Sequence, residues 1–458
     1  MQDGELDKAA RSMLPGQPTT SRRGGLLAGA VALTGAALAG TRAAACILPA
    51  GSRPPASPPD DRTAQAGWPP SGKAGLLITG QSNAGLFLHD GGIWIMNQGL
   101  AALLGIGRAY YDPRLDGLRR LDGYALREGA HRNPDMATTY GGRPLWAPGD
   151  DGAFLVHQPG MDPSLWQQGF AGRSLDRFLR ELLTARDRAE CLGILWIHTE
   201  ADSRGKRMGD VATHAAAIRR HIGLIRAAFG RPATGPGELP AYGWSPIPYG
   251  DSAEGHRAVR AALAEVVADP SQNFRLAIPQ TGDSEPRDGQ DWSHRDAPDL
   301  RLFARRAAYA IAWHQRVRCG PGLADLPGPG PRISLARAES PATTMLTVDH
   351  DQGRRLKASR AARDGRGWSV LDQGASRAVT AMELMGTDRI LLRHEPCLGG
   401  AQRRAIGYCL HGEQVGRGNA VTDDWSAYAS LPPGLGADWR FDFPLQATLL
   451  PIIAGEGI

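Results

Sequence analysis

Lysine is almost missing from this chain: Lys8, Lys73, Lys206 and Lys357 are the only ones in 458 residues. Arginine therefore supplies nearly all the positive charge. The balance of 52 basic against 47 acidic residues leaves a net charge of +5. The arginines are intermixed with Asp and Glu, whereas a nucleic-acid reader gathers its charge on one face or helix, so no nucleic-acid partner is expected. Cysteine is also scarce. Cys46, Cys191, Cys319, Cys397 and Cys409 are too few for a disulfide scaffold, and no CxxC or zinc-ligand spacing occurs. Cys397 and Cys409 fall in one β-like region and could pair if the compartment is oxidising, which leaves their disulfide status open; Cys191 opens an apolar run and reads as a buried thiol. There is no P-loop, and the LLGIG run at 103–107 lacks the third glycine of a dinucleotide fingerprint. His214 and His221 share a predicted helix without an evident third ligand. No metal and no cofactor are expected. With 42% hydrophobic and 22% charged residues, the remainder is ordinary globular sequence.

Residues 1–45 read as an address. Arg22-Arg23 precedes an apolar stretch from Leu26 to Gly40, followed by Arg42-Ala43-Ala44-Ala45. That stretch falls short of the about 20 residues of a membrane span. It resembles a twin-arginine signal with an A-x-A cleavage site, although Gly25 stands where that motif usually has Phe. The expectation is a periplasmic or secreted protein with no integral membrane span after processing; lipoprotein anchoring at Cys46 is the alternative. Residues 46–73 are rich in Pro, Ser and Gly and read as a linker.

Folded sequence begins near 74. The runs Gly75–Gly80, Leu192–Ile197, Ala241–Trp244 and Phe274–Ile278 suit parallel strands, the first a central one buried on both faces. Helical patterns at Ser174–Arg188, Val211–Phe229, Ala253–Val267 and Pro298–Arg316 lie between and after them. That alternation predicts an α/β domain, 74–320, with a parallel sheet flanked by helices. Gly85–Gln158 fits it poorly and is expected to be an insertion or long loop over the sheet edge, shaping a pocket. A linker at 321–331 leads to short β-like runs at Met345–Val348, Ile390–Leu392 and Ala405–Leu410, with no convincing helix. Residues 332–458 are therefore expected to form a small all-β, sandwich-like domain. Its Trp368, Trp425 and Trp439 are either core residues or a sugar-stacking face.

Three constellations carry chemistry. Gly80-Gln81-Ser82-Asn83 places a serine at the carboxyl end of the first strand, where open α/β sheets hold ligands; its backbone N–H can aim at an oxyanion. Asp291-Trp292-Ser293-His294 precedes the last helix, so one loop presents both an imidazole and the carboxylate that fixes its tautomer. His198-Thr199-Glu200-Ala201-Asp202 leaves the second strand toward the same crevice.

Together these segments resemble the SGNH/GDSL-type hydrolases, in particular the sialate O-acetylesterase-like branch that includes carbohydrate esterase family six acetyl xylan esterases. The resemblance runs from about Gly75 to Trp313 and takes in the helix Arg301–Ala307 after the histidine. It implies a flavodoxin-like parallel sheet with Ser82 as nucleophile, His294 as base and Asp291 as its orienting acid. It further implies an oxyanion hole of the Ser82 and Gly172 N–H groups with His198, which stands where the family has Gln. Thr199 replaces the family's Gly, while Glu200 and Asp202 match. Gln81, Asn83, Glu200 and Asp202 are supporting candidates around the triad.

The expected function is an exported serine esterase that removes O-acetyl groups from a carbohydrate or polysaccharide through an acyl-enzyme. Two alternatives remain open: a polysaccharide O-acetyltransferase using the same triad, and a degenerate hydrolase acting in carbohydrate binding or assembly.

Overall fold

The computed structural model describes residues 75–80, 82–104, 191–197, 210–235, 237–247, 253–287, 294–319, 329–409 and 414–455, with Leu179, Leu183, Ala185 and Arg188. The expected signal, the Pro-rich linker, Cys46, residues 105–158 and most of the Ser174–Arg188 helix lie outside the described residues.

The first sheet is wholly parallel, with strands β1 (Gly75–Gly80), β2 (Cys191–Ile197), β3 (Ala241–Trp244) and β4 (Phe274–Ile278) in the order β1-β2-β3-β4. β1 is thus at one end of the described order, not central. It is nevertheless buried on both faces, because alternate side chains enter two different cores. Leu76 and Ile78 pack with helices α1 (Ser82–His89), α2 (Gly92–Leu104) and α5 (Ala297–Cys319). Leu77 packs with α3 (Val211–Ala228) and α4 (Ala253–Ala268) on the other side. Strand side chains alternate between faces, so an almost continuously apolar strand is what a helix–sheet–helix sandwich needs.

Gly92–Leu104 is a core helix, not part of a loop over the sheet edge. Met96, Leu100 and Leu103 recur at helical spacing and are fully buried. Gly99, between them, is required by close approach: a Cβ there would lie 2.1 Å from the Trp439 ring. Ser82–His89 is likewise helical, so the expected insertion does not begin at Gly85.

The second sheet is mostly antiparallel, with strands β5 (Arg332–Ser340), β6 (Thr343–Asp349), β7 (Trp368–Asp372), β8 (Ala375–Met385), β9 (Arg389–His394), β10 (Arg404–Tyr408), β11 (Thr448–Pro451) and β12 (Ile453–Ala454) in the order β11-β10-β7-β8-β9-β6-β5-β12. β11 and β12 are one stretch of chain broken at Ile452. β11 pairs β10 and β12 pairs β5, so the sheet closes on itself. β8 bends it: its first half pairs β7 and its second half β9. Closure hides the sheet edges. A one-turn helix, α6 (Arg360–Arg363), capped by Ser359, interrupts the all-β pattern.

The tryptophans are core residues rather than a sugar-stacking face. Trp368 lies in the β core against Tyr408. Trp425 and Trp439, with Phe441 and Phe443, surround Tyr309 of α5 edge-on, and the Tyr309 hydroxyl donates to the Trp439 carbonyl. Residues after the β ring's main strands thus fill the outer side of the α/β core. Cys397 and Cys409 are both buried and are not joined by a disulfide. Among the described residues no helix is long and apolar enough to cross a membrane.

The tail carries a buried carboxyl with a consequence for stability. Asp423 is 1% exposed, and its Oδ1 accepts from the N–H groups of Trp425 (3.2 Å) and Phe443 (2.8 Å). Burial pushes its pKa up to about 7, with Asp442 and Asp424 adding to the rise and the two N–H bonds opposing it. The folded state then holds this proton more tightly than the unfolded chain, where a carboxyl titrates near about 3.9. Its stabilising contribution is full below about pH 4 and is lost as pH rises through about 7. Asn at this position keeps the Oδ1 acceptor and carries no charge. Asp423→Asn should therefore melt with little change near pH 4 and be the more stable protein at pH 8. Parallel melting curves of the two proteins across that range check this; equal pH slopes would refute it.

Candidate active site at the carboxyl edge of the parallel sheet

Ser82 opens α1 two residues after β1 ends. The first N–H groups of a helix have no acceptor within it, so this position supplies a serine together with backbone donors at the carboxyl edge of the sheet. The local sequence dictates the close fit. A Cβ on Gly80 would lie 2.2 Å from the Ile197 carbonyl oxygen and 2.5 Å from the Ala84 Cβ. Only glycine lets α1 start this close to β2. Asn83, the next residue, is fully buried.

His294 lies three residues before α5, and the contacts of α5 fix which edge that is. Phe303, near its start, packs edge-on against Trp244 at the end of β3. His314 and Gln315, near its finish, meet Tyr242 and the Leu192 carbonyl at the beginnings of β3 and β2. α5 therefore runs antiparallel to the strands, and its first turn is at their carboxyl edge. Ser82 and His294 thus share that edge. Asp291, Gln81, Gly172, His198, Glu200 and Asp202 lie outside the described residues.

His294 is half-buried on a narrow antiparallel neck whose sides are 285–287 and 294–296. The Arg287 N–H donates to the His294 carbonyl at 2.9 Å, the Asp296 N–H to the Glu285 carbonyl at 3.3 Å, and Pro286 bridges Arg295. Asp291 belongs to the sequence between the two sides. The neck and α5 are each tied to the helix that Ser82 opens: Arg287 of the neck pairs with the Asp90 carboxylate at 2.9 Å, and Arg301 Nε of α5 donates to the Asp90 carbonyl at 2.8 Å. Asp90 follows the last residue of α1, so both ties are to the end of that helix opposite Ser82. Below the neck, Arg306 of α5 forks onto Asp283 at 3.0 and 2.5 Å. This pair is buried, and a bidentate geometry is what such a pair needs to offset its desolvation.

A second set of contacts, with no counterpart in the sequence reading, comes from residues 414–417. Arg417 donates through Nε to Asp299 at 2.9 Å and also reaches Asp296 in the first turn of α5. Burial pushes the Asp299 carboxyl up despite that arginine. The only signal in the sequence is an arginine between two glycines, which names no partner. On the β sheet a groove of about 610 Å³ is lined by Arg366, Trp368, Arg377, Glu395 and Gln414; Gln414 also accepts from Arg295 of the neck.

His214 and His221 are buried in α3, and His221 accepts from the Trp196 indole at 3.1 Å. Among the described residues no group of three His, Cys, Asp or Glu side chains is gathered to hold a metal ion.

Neither a protein-family model nor a curated protein matches the chain. Among solved structures, a carbohydrate acetylesterase from Xanthomonas citri aligns over 57% of this chain and 50% of its own length, at 14% identity and a TM-score of 0.38. The N-terminal part of the bacterial S-layer protein SbsC aligns over 82% of this chain and 57% of its own, at 10% identity and a TM-score of 0.19. What the structure itself defines is a mixed α/β protein with a parallel four-stranded sheet and a separate, mostly antiparallel sheet.

Proposed function

We propose that this protein is an exported serine esterase of the SGNH type that removes acetyl groups from an O-acetylated carbohydrate or polysaccharide. The observation that carries the reading is the placement of Ser82 and His294. Ser82 opens a helix directly after a buried parallel strand, and His294 sits on a tied neck at the same sheet edge. In this reading His294 takes the Ser82 proton as Oγ attacks the acetyl carbonyl, and Asp291 orients the imidazole. The N–H of Ser82, with Gly172 and His198, holds the oxyanion. His294 then returns the proton to the departing sugar hydroxyl, and water releases acetate from the acyl-serine.

The apolar Gly92–Leu104 segment bears on substrate class. Exposed apolar lids and interfacial helices mark lipid esterases; this segment is packed in the core and is not itself one. The test is acetate release from acetylated glycans, set against hydrolysis of acetyl and octanoyl chromogenic esters. Acetyl esters should be cleaved far faster. Equal or better turnover of octanoyl esters would overturn the carbohydrate reading, and transfer of acetyl to an added glycan in preference to water would make the protein an acetyltransferase.

A further inference from the structure

We infer that Arg417 is a positioning residue for the His294 neck, so that the β-sheet region holds part of the catalytic apparatus in register; this rests on the esterase reading above. Four consecutive residues of that region each contact the segment that leads into α5. The Gln414 Oε1 accepts from Arg295, the neighbour of His294, at 2.8 Å. The N–H groups of Val415 and Gly416 both donate to the Gly282 carbonyl, at 2.8 and 3.1 Å. The Arg417 N–H donates to Glu285 Oε1 at 2.8 Å, and its guanidinium reaches Asp299 and Asp296. Arg417 therefore touches Glu285 on one side of the neck, Asp296 on the other, and the helix that follows.

A solvated ion pair contributes little by itself, and the Arg417 side chain is 45% exposed. Its partner Asp299, however, is 2% exposed and also accepts the Glu285 N–H at 2.6 Å. One buried carboxylate thus joins Arg417, the neck and the first turn of α5. The turn is built for this approach: Gly416 and Gly418 both have positive φ, 80° and 74°. A Cβ on Gly416 would also come 2.8 Å from Glu285 Oε1. Such a contact acts through geometry, since a small misplacement of a catalytic group costs up to about 100-fold in rate.

The experiment uses the full chain. Arg417→Ala should raise amide hydrogen exchange in 285–287 and 294–299 while leaving both sheets protected. It should lower kcat on an acetyl ester by about 10- to 100-fold with KM nearly unchanged. Arg417→Lys keeps the charge without the fork and should recover part of kcat. The inference is overturned if kcat is unchanged, if exchange rises throughout the protein, or if Lys is no better than Ala. A fluorophosphonate probe on the unmodified protein separates the two levels. Failure to label Ser82 rejects the esterase reading itself, whereas labelling with an unaffected Arg417→Ala rejects only the positioning role.

Discussion

Ser82→Ala is expected to leave the protein folded and to lower acetyl ester turnover by about 10⁴-fold or more, the scale seen when a triad nucleophile is removed. The fold should tolerate the change, because alanine is the best helix former and Ser82 is the first residue of α1. The close fit of that helix against β2 depends on Gly80, which the substitution leaves in place. Activity and stability therefore separate. The variant should match the parent in urea midpoint, lose covalent labelling by a fluorophosphonate and retain binding of an acetylated glycan. Any residual rate would come from the backbone oxyanion donors, which the substitution keeps. Full activity in the alanine variant, or probe labelling at another serine, would dismiss Ser82 as nucleophile.

Local patterns were legible where one residue type settles one element. β1, β3 and β4 occupy the residues that their apolar runs predict, and β2 begins one residue earlier, at Cys191. α3 matches its pattern because Asp210 caps it, accepting from the Thr213 N–H at 2.7 Å. α2 is opaque in the sequence for a physical reason. A helix apolar almost all round has no polar face to mark its period, and a short apolar run reads equally as strand, loop or buried helix. The position of β1 at the end of the described sheet order was hidden because helices on both faces give an outer strand the composition of a central one. At the site, the serine after β1 and the histidine before α5 were visible as motifs. Arg417 was not: its bonds to Asp299 span 118 residues, and a side chain whose partners are that distant leaves no periodic trace. The tail was opaque for the same reason. Trp425, Trp439 and Phe443 are scattered aromatics in sequence and a cage around Tyr309 in space.

Arg226→Met should cost the protein about 3 kcal/mol or more. Arg226 stands in the last turn of α3 and is fully buried. Its guanidinium is spent on three backbone carbonyls: Nε donates to Leu239 at 2.8 Å, and the two terminal nitrogens donate to Ala233 and Gln272 at 2.6 Å each. Leu239 precedes β3 and Gln272 precedes β4, so one side chain ties a helix end to the approaches of two adjacent parallel strands. Burial lowers its pKa to about 10, with Glu238 opposing the fall, so it remains charged at neutral pH. Methionine fills most of the volume and is a good helix former, but it offers no donor. Two buried carbonyls, those of Leu239 and Gln272, would lose their partner at about 1–3 kcal/mol each, and the part-buried carbonyl of Ala233 would turn to water, the whole partly offset by no longer burying a charge. Lysine would restore the charge and, lacking the planar fork, could not serve three acceptors in three directions. The urea midpoint should fall sharply for Met and for Lys with the m-value unchanged. A midpoint within experimental error of the parent would mean that water replaces the guanidinium at those carbonyls, and that the strand approaches are held by the sheet alone.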